Sequence, residues 1–183
     1  RTLYNNTDYD LYIVPSSIVC HETEIETIEN LIKKNNKNKI FSIGPFASNF
    51  PNKYIEAGSK VIKGEPDMFF FTYKNQDLKD FFKLPNLINF SSFIDLNELH
   101  LPAWDIILKY MQPKMSLLGK GITLPIQGSR GCPYSCFYYC TYPLQQGRKL
   151  RLRDPNKILS EMLHWYNKYN VINYIFRDPV FSI

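Results

Sequence analysis

The feature that most constrains this chain is a regular alternation of short β-branched runs with helical stretches, joined by tight turns. Asp10-Leu-Tyr-Ile-Val14 reads as a strand and stops at Pro15-Ser16-Ser17. Thr23-Glu-Ile-Glu26 has the form of a capping box, in which the Thr hydroxyl accepts from the backbone and Glu26 reaches back. Ile25, Ile28, Leu31 and Ile32 follow at helical spacing, so a helix with one buried face is expected, running out in the Lys- and Asn-rich stretch 33–39. Ile40-Phe-Ser-Ile43 is a second strand, closed by Gly44-Pro45. A short helix is expected from Pro51 to Ala57, capped by Gly58, and Lys60-Val-Ile-Lys63 is a third strand ended by Gly64-Glu65-Pro66. Strands alternating with helices through short links predict a parallel sheet covered by helices. Ligands of such sheets sit beyond the carboxyl ends of the strands.

From Lys79 to Lys120 the pattern weakens and prolines interrupt it, which suggests a connector in which Trp104 packs into an interface. Gly121-Ile-Thr-Leu-Pro-Ile126 restarts as a strand and feeds a loop, Gln127-Gly-Ser-Arg-Gly-Cys132. Asp154-Pro155 places an N-cap residue before proline at the first helical position. Ile158, Met162, Trp165 and Tyr169 mark one face of that helix, and Val171 to Phe176 is another strand. The expected organisation is an incomplete α/β domain over 1–80, a connector over 81–120 and a second incomplete α/β unit over 121–183.

Composition narrows the possible functions. The 183 residues are 44% apolar with a net charge of +5, which excludes a disordered chain. The longest wholly apolar runs, such as Met68 to Phe71, are too short for a membrane span, and no leader with a cleavage site is visible after Arg1. A charge of +5 does not demand a nucleic-acid partner. Phe69-Phe-Phe71 and Phe81-Phe82 do not alternate with cations, so core packing explains them better than base stacking. Arg148-Lys-Leu-Arg-Leu-Arg153 alternates basic and apolar residues; a solvated edge strand is the expected reading, with anion contact as the other.

Of the four cysteines, Cys20 stands alone while Cys132, Cys136 and Cys140 fall within nine residues. Three close thiols without a secretion signal read as metal ligands in a reducing compartment, which places the chain in the cytoplasm. Three thiolates can hold three irons of a cubane cluster and leave the fourth open, whereas four-cysteine clusters are coordinatively closed. A structural zinc site would need a fourth ligand from Cys20, His21, His100 or His164, all distant in sequence. Unliganded buried cysteines are the other alternative.

Gly128-Ser-Arg-Gly-Cys-Pro-Tyr-Ser-Cys136, with Cys140-Thr-Tyr-Pro-Leu-Gln-Gln-Gly-Arg-Lys149 and Arg177-Asp-Pro-Val-Phe-Ser182, resembles the start of a radical S-adenosylmethionine enzyme. More narrowly, it resembles the branch with an N-terminal cobalamin-binding domain. Pro15-Ser16-Ser17, Gly44-Pro45 and Lys63-Gly-Glu65 resemble the strand-end turns of that domain, and Phe93 to Asp105 resembles its connector. The fold so implied is a partial doubly wound, Rossmann-like parallel sheet followed by the first strands of a partial (β/α) barrel.

The resemblance implies that Cys132, Cys136 and Cys140 ligate a 4Fe-4S cluster whose open iron binds S-adenosylmethionine. It implies Tyr139 beside the adenine, Asp178 by the methionyl amino group, and Ser16, Ser17, Gly44 and Pro45 against cobalamin. The implied chemistry is reductive cleavage of S-adenosylmethionine to a 5′-deoxyadenosyl radical, with cobalamin carrying a methyl group to an unactivated carbon; some relatives form rings or rearrange instead. A small-molecule, lipid or natural-product substrate and an external one-electron reductant are implied partners, and nucleic acid is not expected. The family spacing is Cys-x3-Cys-x2-Cys, whereas the second gap here holds Phe137, Tyr138 and Tyr139. That extra residue adds up to ~3.5 Å of chain. A tRNA methylthiotransferase-like enzyme and a non-enzymatic zinc or RNA-binding module are the alternative functions. A fragment of this length is expected not to turn over alone, because an open sheet edge leaves the site exposed.

Overall fold

The computed structural model describes residues 9–34, 39–110, 121–136 and 140–181. The chain divides into two compact units, Arg1–Phe93 with Ser135–Gln146, and Ile94–Tyr134 with Gly147–Ile183.

In the first unit β1 (Tyr12–Pro15), β2 (Ile40–Ile43), β3 (Lys60–Lys63) and β4 (Leu87–Asn89) form a parallel sheet in that spatial order. Ile13 lies beside Phe41, Ser42 beside Val61 and Ile62 beside Ile88. Because successive side chains leave opposite faces of a strand, Ile40 and Val61 join one core while Phe41 and Ile62 join another. The first core is covered by α1 (His21–Lys33) through Ile28, α2 (Pro45–Asn49) through Phe46 and Ala47, and α3 (Pro51–Glu56) through Tyr54. The second is covered by α4 (Pro66–Thr72) through Phe69 and α5 (Leu78–Phe81) through Phe81. Phe69 packs 5.6 Å from Phe41 and 5.2 Å from Phe81, ring centre to ring centre. Helices on both faces make this a Rossmann-like α/β sheet and explain why its strands carry apolar residues on consecutive positions.

Two local features differ from the expectation, and a third, the burial of Lys60, is one that the sequence did not signal. Helix α1 starts at His21 and its N-cap, Cys20, makes no side-chain cap bond, so the capping box at Thr23 and Glu26 does not form. The turn before the helix is closed instead by the Ser17 hydroxyl, which accepts from the Cys20 N–H at 3.2 Å. Strand β4 falls inside the stretch read as a connector: it is three residues long and buries only Ile88, too little for a periodic signal. Lys60 opens β3 almost fully buried, with its amine donating to the Leu84 carbonyl, and burial lowers its pKa.

The second unit begins with a 3-10 turn, Leu96–Glu98, followed by α6 (Trp104–Leu108). Strand β5 (Thr123–Ile126) pairs in parallel with β8 (Asn173–Phe176), and β6 (Ser129–Arg130) pairs antiparallel with β7 (Arg151–Leu152). The helix between them, α8 (Pro155–Tyr169), opens with the Asp154 carboxylate accepting from the Asn156 N–H at 2.8 Å and closes with Asn170 at φ 53°. Its Trp165 packs with Leu108, Leu124 and Val171, and Trp104 rests on that core. Among the described residues the strands of this unit form two-stranded ladders and no closed barrel.

The basic run 148–153 is only in part a solvated edge: Arg148, Lys149 and Leu152 are exposed, whereas Arg151 and Arg153 are half-buried. Arg151 and Leu152 are laddered to β6, and Arg151 Nη1 donates to the Ile94 carbonyl at 3.1 Å. Arg153 turns inward to Glu161. No helix among the described residues is long and apolar enough to cross a membrane.

Candidate metal and cofactor site

The second strand pair leads directly into the cysteine loop. Gly131, the residue before Cys132, sits at φ +87°, and a Cβ there would fall on the Lys149 carbonyl oxygen, 2.9 Å from its carbon. Only glycine lets the backbone pass the Lys149 backbone this closely. Cys132 follows, 5% exposed, with its N–H donating to the Gly147 carbonyl at 3.1 Å. Cys136 is exposed and Cys140 half-buried, and all three thiols are free, as is the exposed Cys20. Cys132 belongs to the second unit, Cys136 and Cys140 to the first. Helix α7 (Tyr142–Gln146), just after Cys140, packs on α2 within the first unit.

Among the described residues no three His, Cys, Asp or Glu side chains are gathered around one point. Two of the sequence's four possible fourth zinc ligands, His21 and His164, have other partners. The His21 ring lies 4.6 Å from that of Phe46, with Nδ1 2.9 Å from the Ile18 carbonyl, and His164 packs edge-on against Trp165 at 4.6 Å. Tyr139 lies outside the described residues.

Asp178 stands just past β8, where the Arg177 N–H donates to the Ile126 carbonyl at 2.9 Å. Its Oδ1 accepts from the Gly128 N–H at 2.8 Å and its Oδ2 from the Ser129 hydroxyl at 3.0 Å. Both carboxylate oxygens therefore hold the glycine loop that precedes Cys132.

At the strand ends of the first unit, Ser16 is buried and its Oγ accepts from the Ala47 N–H at 2.8 Å, in the first turn of α2. Gly44, at φ +99°, packs so closely that a Cβ would lie 3.0 Å from the Ser16 carbonyl oxygen. Pro45 opens α2 at the position where its missing N–H costs nothing. The Ser17 N–H donates to Glu24 Oε1 at 2.9 Å. Ser16 and Gly44 are thus packed against each other, while Ser17 is engaged with Glu24 and Cys20.

Sequence reasoning missed the groups that lock this corner. Tyr54, fully buried, donates to Glu24 Oε2 at 2.6 Å, and burial followed by the Glu24 carboxylate raises its pKa. The Ser48 hydroxyl accepts from the Gly64 N–H at 3.1 Å and ties the turn after β3 to α2. Glu24 sits inside the Thr23–Glu26 pattern, and that signal pointed to a cap rather than to a tertiary contact.

The fold and this loop define an open α/β sheet protein with a free three-thiol segment. No family model matches the chain. Over 163 residues it is 23% identical to a Synechocystis protein described as an uncharacterized methyltransferase, an alignment that takes in 87% of this chain and 27% of that protein. The chain thus spans about a quarter of the length of that relative, 27%.

Proposed function

We propose that the chain is part of a radical S-adenosylmethionine methyltransferase in which Cys132, Cys136 and Cys140 ligate a 4Fe-4S cluster. The observation that carries this is the donor set: three free thiols within nine residues, introduced by a glycine that no residue with a side chain can replace without displacing Lys149. Soft thiolates suit iron–sulfur clusters, and three of them leave one iron open. The methyltransferase half is supported by the description of the distant relative. When bound, the cluster would supply the single electron that cleaves S-adenosylmethionine.

The chain's own residues act by holding the loop. The β6–β7 ladder, Gly131 and the Gly147 carbonyl fix Cys132 in a buried position, away from water. Tyr139 is proposed to meet the adenine. A small-molecule, lipid or natural-product substrate, an external reductant and a cytoplasmic setting complete the reading. Cobalamin enters only as the second cofactor that the resemblance implies for the first unit. Ser16 and Gly44 fit each other and α2 rather than shaping a cradle for a corrinoid, so no step is drawn through it.

The test is metal content after anaerobic reconstitution with iron, sulfide and zinc in competition. Iron and acid-labile sulfide in equal amounts, lost on Cys132→Ser, Cys136→Ser and Cys140→Ser together, is the expected result. Stoichiometric zinc in their place would refute the proposal.

A further inference from the structure

We infer that Asp178 is a positioning residue for Cys132; the inference rests on the reading of Cys132 as a cluster ligand. The resemblance assigns Asp178 to a ligand's amino group, and each of its two oxygens also makes a bond within the chain. Oδ1 accepts from the Gly128 N–H at 2.8 Å and Oδ2 from the Ser129 hydroxyl at 3.0 Å. Ser129 is 3% exposed, so this second bond is made in a nearly dry setting where a lost partner is costly. The same hydroxyl is 3.2 Å from the Val180 carbonyl, which places it between two acceptors on the segment that follows β8.

From Ser129 the chain has little freedom before Cys132. Ser129 and Arg130 are laddered to Leu152 and Arg151. Gly131 is pinned by the close passage of Lys149, and the Cys132 N–H by the Gly147 carbonyl. The Gly128 carbonyl accepts from the Arg153 N–H at 2.8 Å, which anchors the other end of the same arm. Asp178 therefore ties the end of β8 to a short rigid arm that ends in the buried thiol. Gly128 is part of the fit: a Cβ there would stand 3.1 Å from Asp178 Oδ2.

The experiment reads the thiol and needs no metal. In the full chain with Cys20, Cys136 and Cys140 changed to Ser, the rate at which a maleimide labels Cys132 is followed. Asp178→Ala is expected to label about ten-fold faster, since loss of both bonds loosens the arm. Asp178→Asn is expected to label at the parent rate: its carbonyl oxygen still accepts from Gly128, and the Ser129 proton can turn to Val180. Ser129→Ala, which keeps the Gly128 bond, is expected in between. An unchanged rate in Asp178→Ala, or a rate in Asp178→Asn as fast as in Asp178→Ala, would overturn the inference. Should Asp178→Ala fail to fold, Ser129→Ala decides, and a parent-like rate there overturns it. Failure of the chain with Cys132, Cys136 and Cys140 intact to take up a cluster on reconstitution would refute the cluster reading and leave the labelling result standing.

Discussion

Arg153 Nη2 lies 2.5 Å from Glu161 Oε2, with the two side chains 9% and 3% exposed. The pair joins the residue after β7 to the middle of α8, inside the second unit. Removing one member leaves the other charge buried without its counterion, and such losses cost about 3–5 kcal/mol. Glu161→Ala should therefore lower the urea midpoint of the second unit sharply. Glu161→Ala with Arg153→Met should recover much of the loss, because a buried ion pair adds little over an apolar pair. A single variant within 1 kcal/mol of the parent, on the ~1 kcal/mol scale of ordinary substitutions, would contradict this.

Gly131→Ala should be more damaging than its size suggests. The added methyl meets the Lys149 backbone, and φ +87° is a region that L residues rarely adopt. A strained backbone of this kind costs of order 1–3 kcal/mol before the clash is counted. The expected outcome is a lower melting temperature together with loss of iron retained after reconstitution. Full iron retention would show that the passage beside Lys149 does not set the position of Cys132.

Tyr54 makes the first unit labile to alkali. Burial and the Glu24 carboxylate raise its pKa above the ordinary 10.0. The folded state therefore keeps a proton that the unfolded state releases. This contribution to stability is fully present below pH 10 and is lost as pH rises through 10 toward the folded pKa. Tyr174 adds to the same trend in the second unit, raised first by burial and then by Glu161. Tyr54→Phe should be less stable at neutral pH by roughly 1.5–3 kcal/mol, the worth of a hydrogen bond to a charged group. Its stability should also fall less steeply above pH 10, and unfolding followed at several pH values checks both. Parallel pH profiles for the two proteins would contradict the assignment.

The sheet was legible because local and tertiary preferences agree there. Ile40, Phe41, Val61 and Ile62 are apolar on consecutive positions, as strands covered on both faces must be, and Gly44, Gly58 and Gly64 end the elements beside them. Asp154-Pro155 was readable for the same reason, since a cap bond depends on neighbours in sequence. Glu24 was not, because its partners Ser17 and Tyr54 are brought to it only by folding. Arg153 was misread likewise: an alternating basic run looks solvated until Glu161 arrives from the next helix. At the cysteine loop the spacing points to the proposed donors, while the roles proposed for Gly131 and Asp178 depend on Lys149, Gly128 and Ser129, contacts that only the folded chain makes.

The central claim is an open three-cysteine cluster, and electron paramagnetic resonance tests it most directly. The chain is reconstituted anaerobically with iron and sulfide, reduced with dithionite, and measured with and without S-adenosylmethionine. The account predicts a cubane signal that changes when S-adenosylmethionine is added and is missing when Cys132, Cys136 and Cys140 are all serine. A signal indifferent to S-adenosylmethionine, or one that survives the loss of all three cysteines, would contradict it.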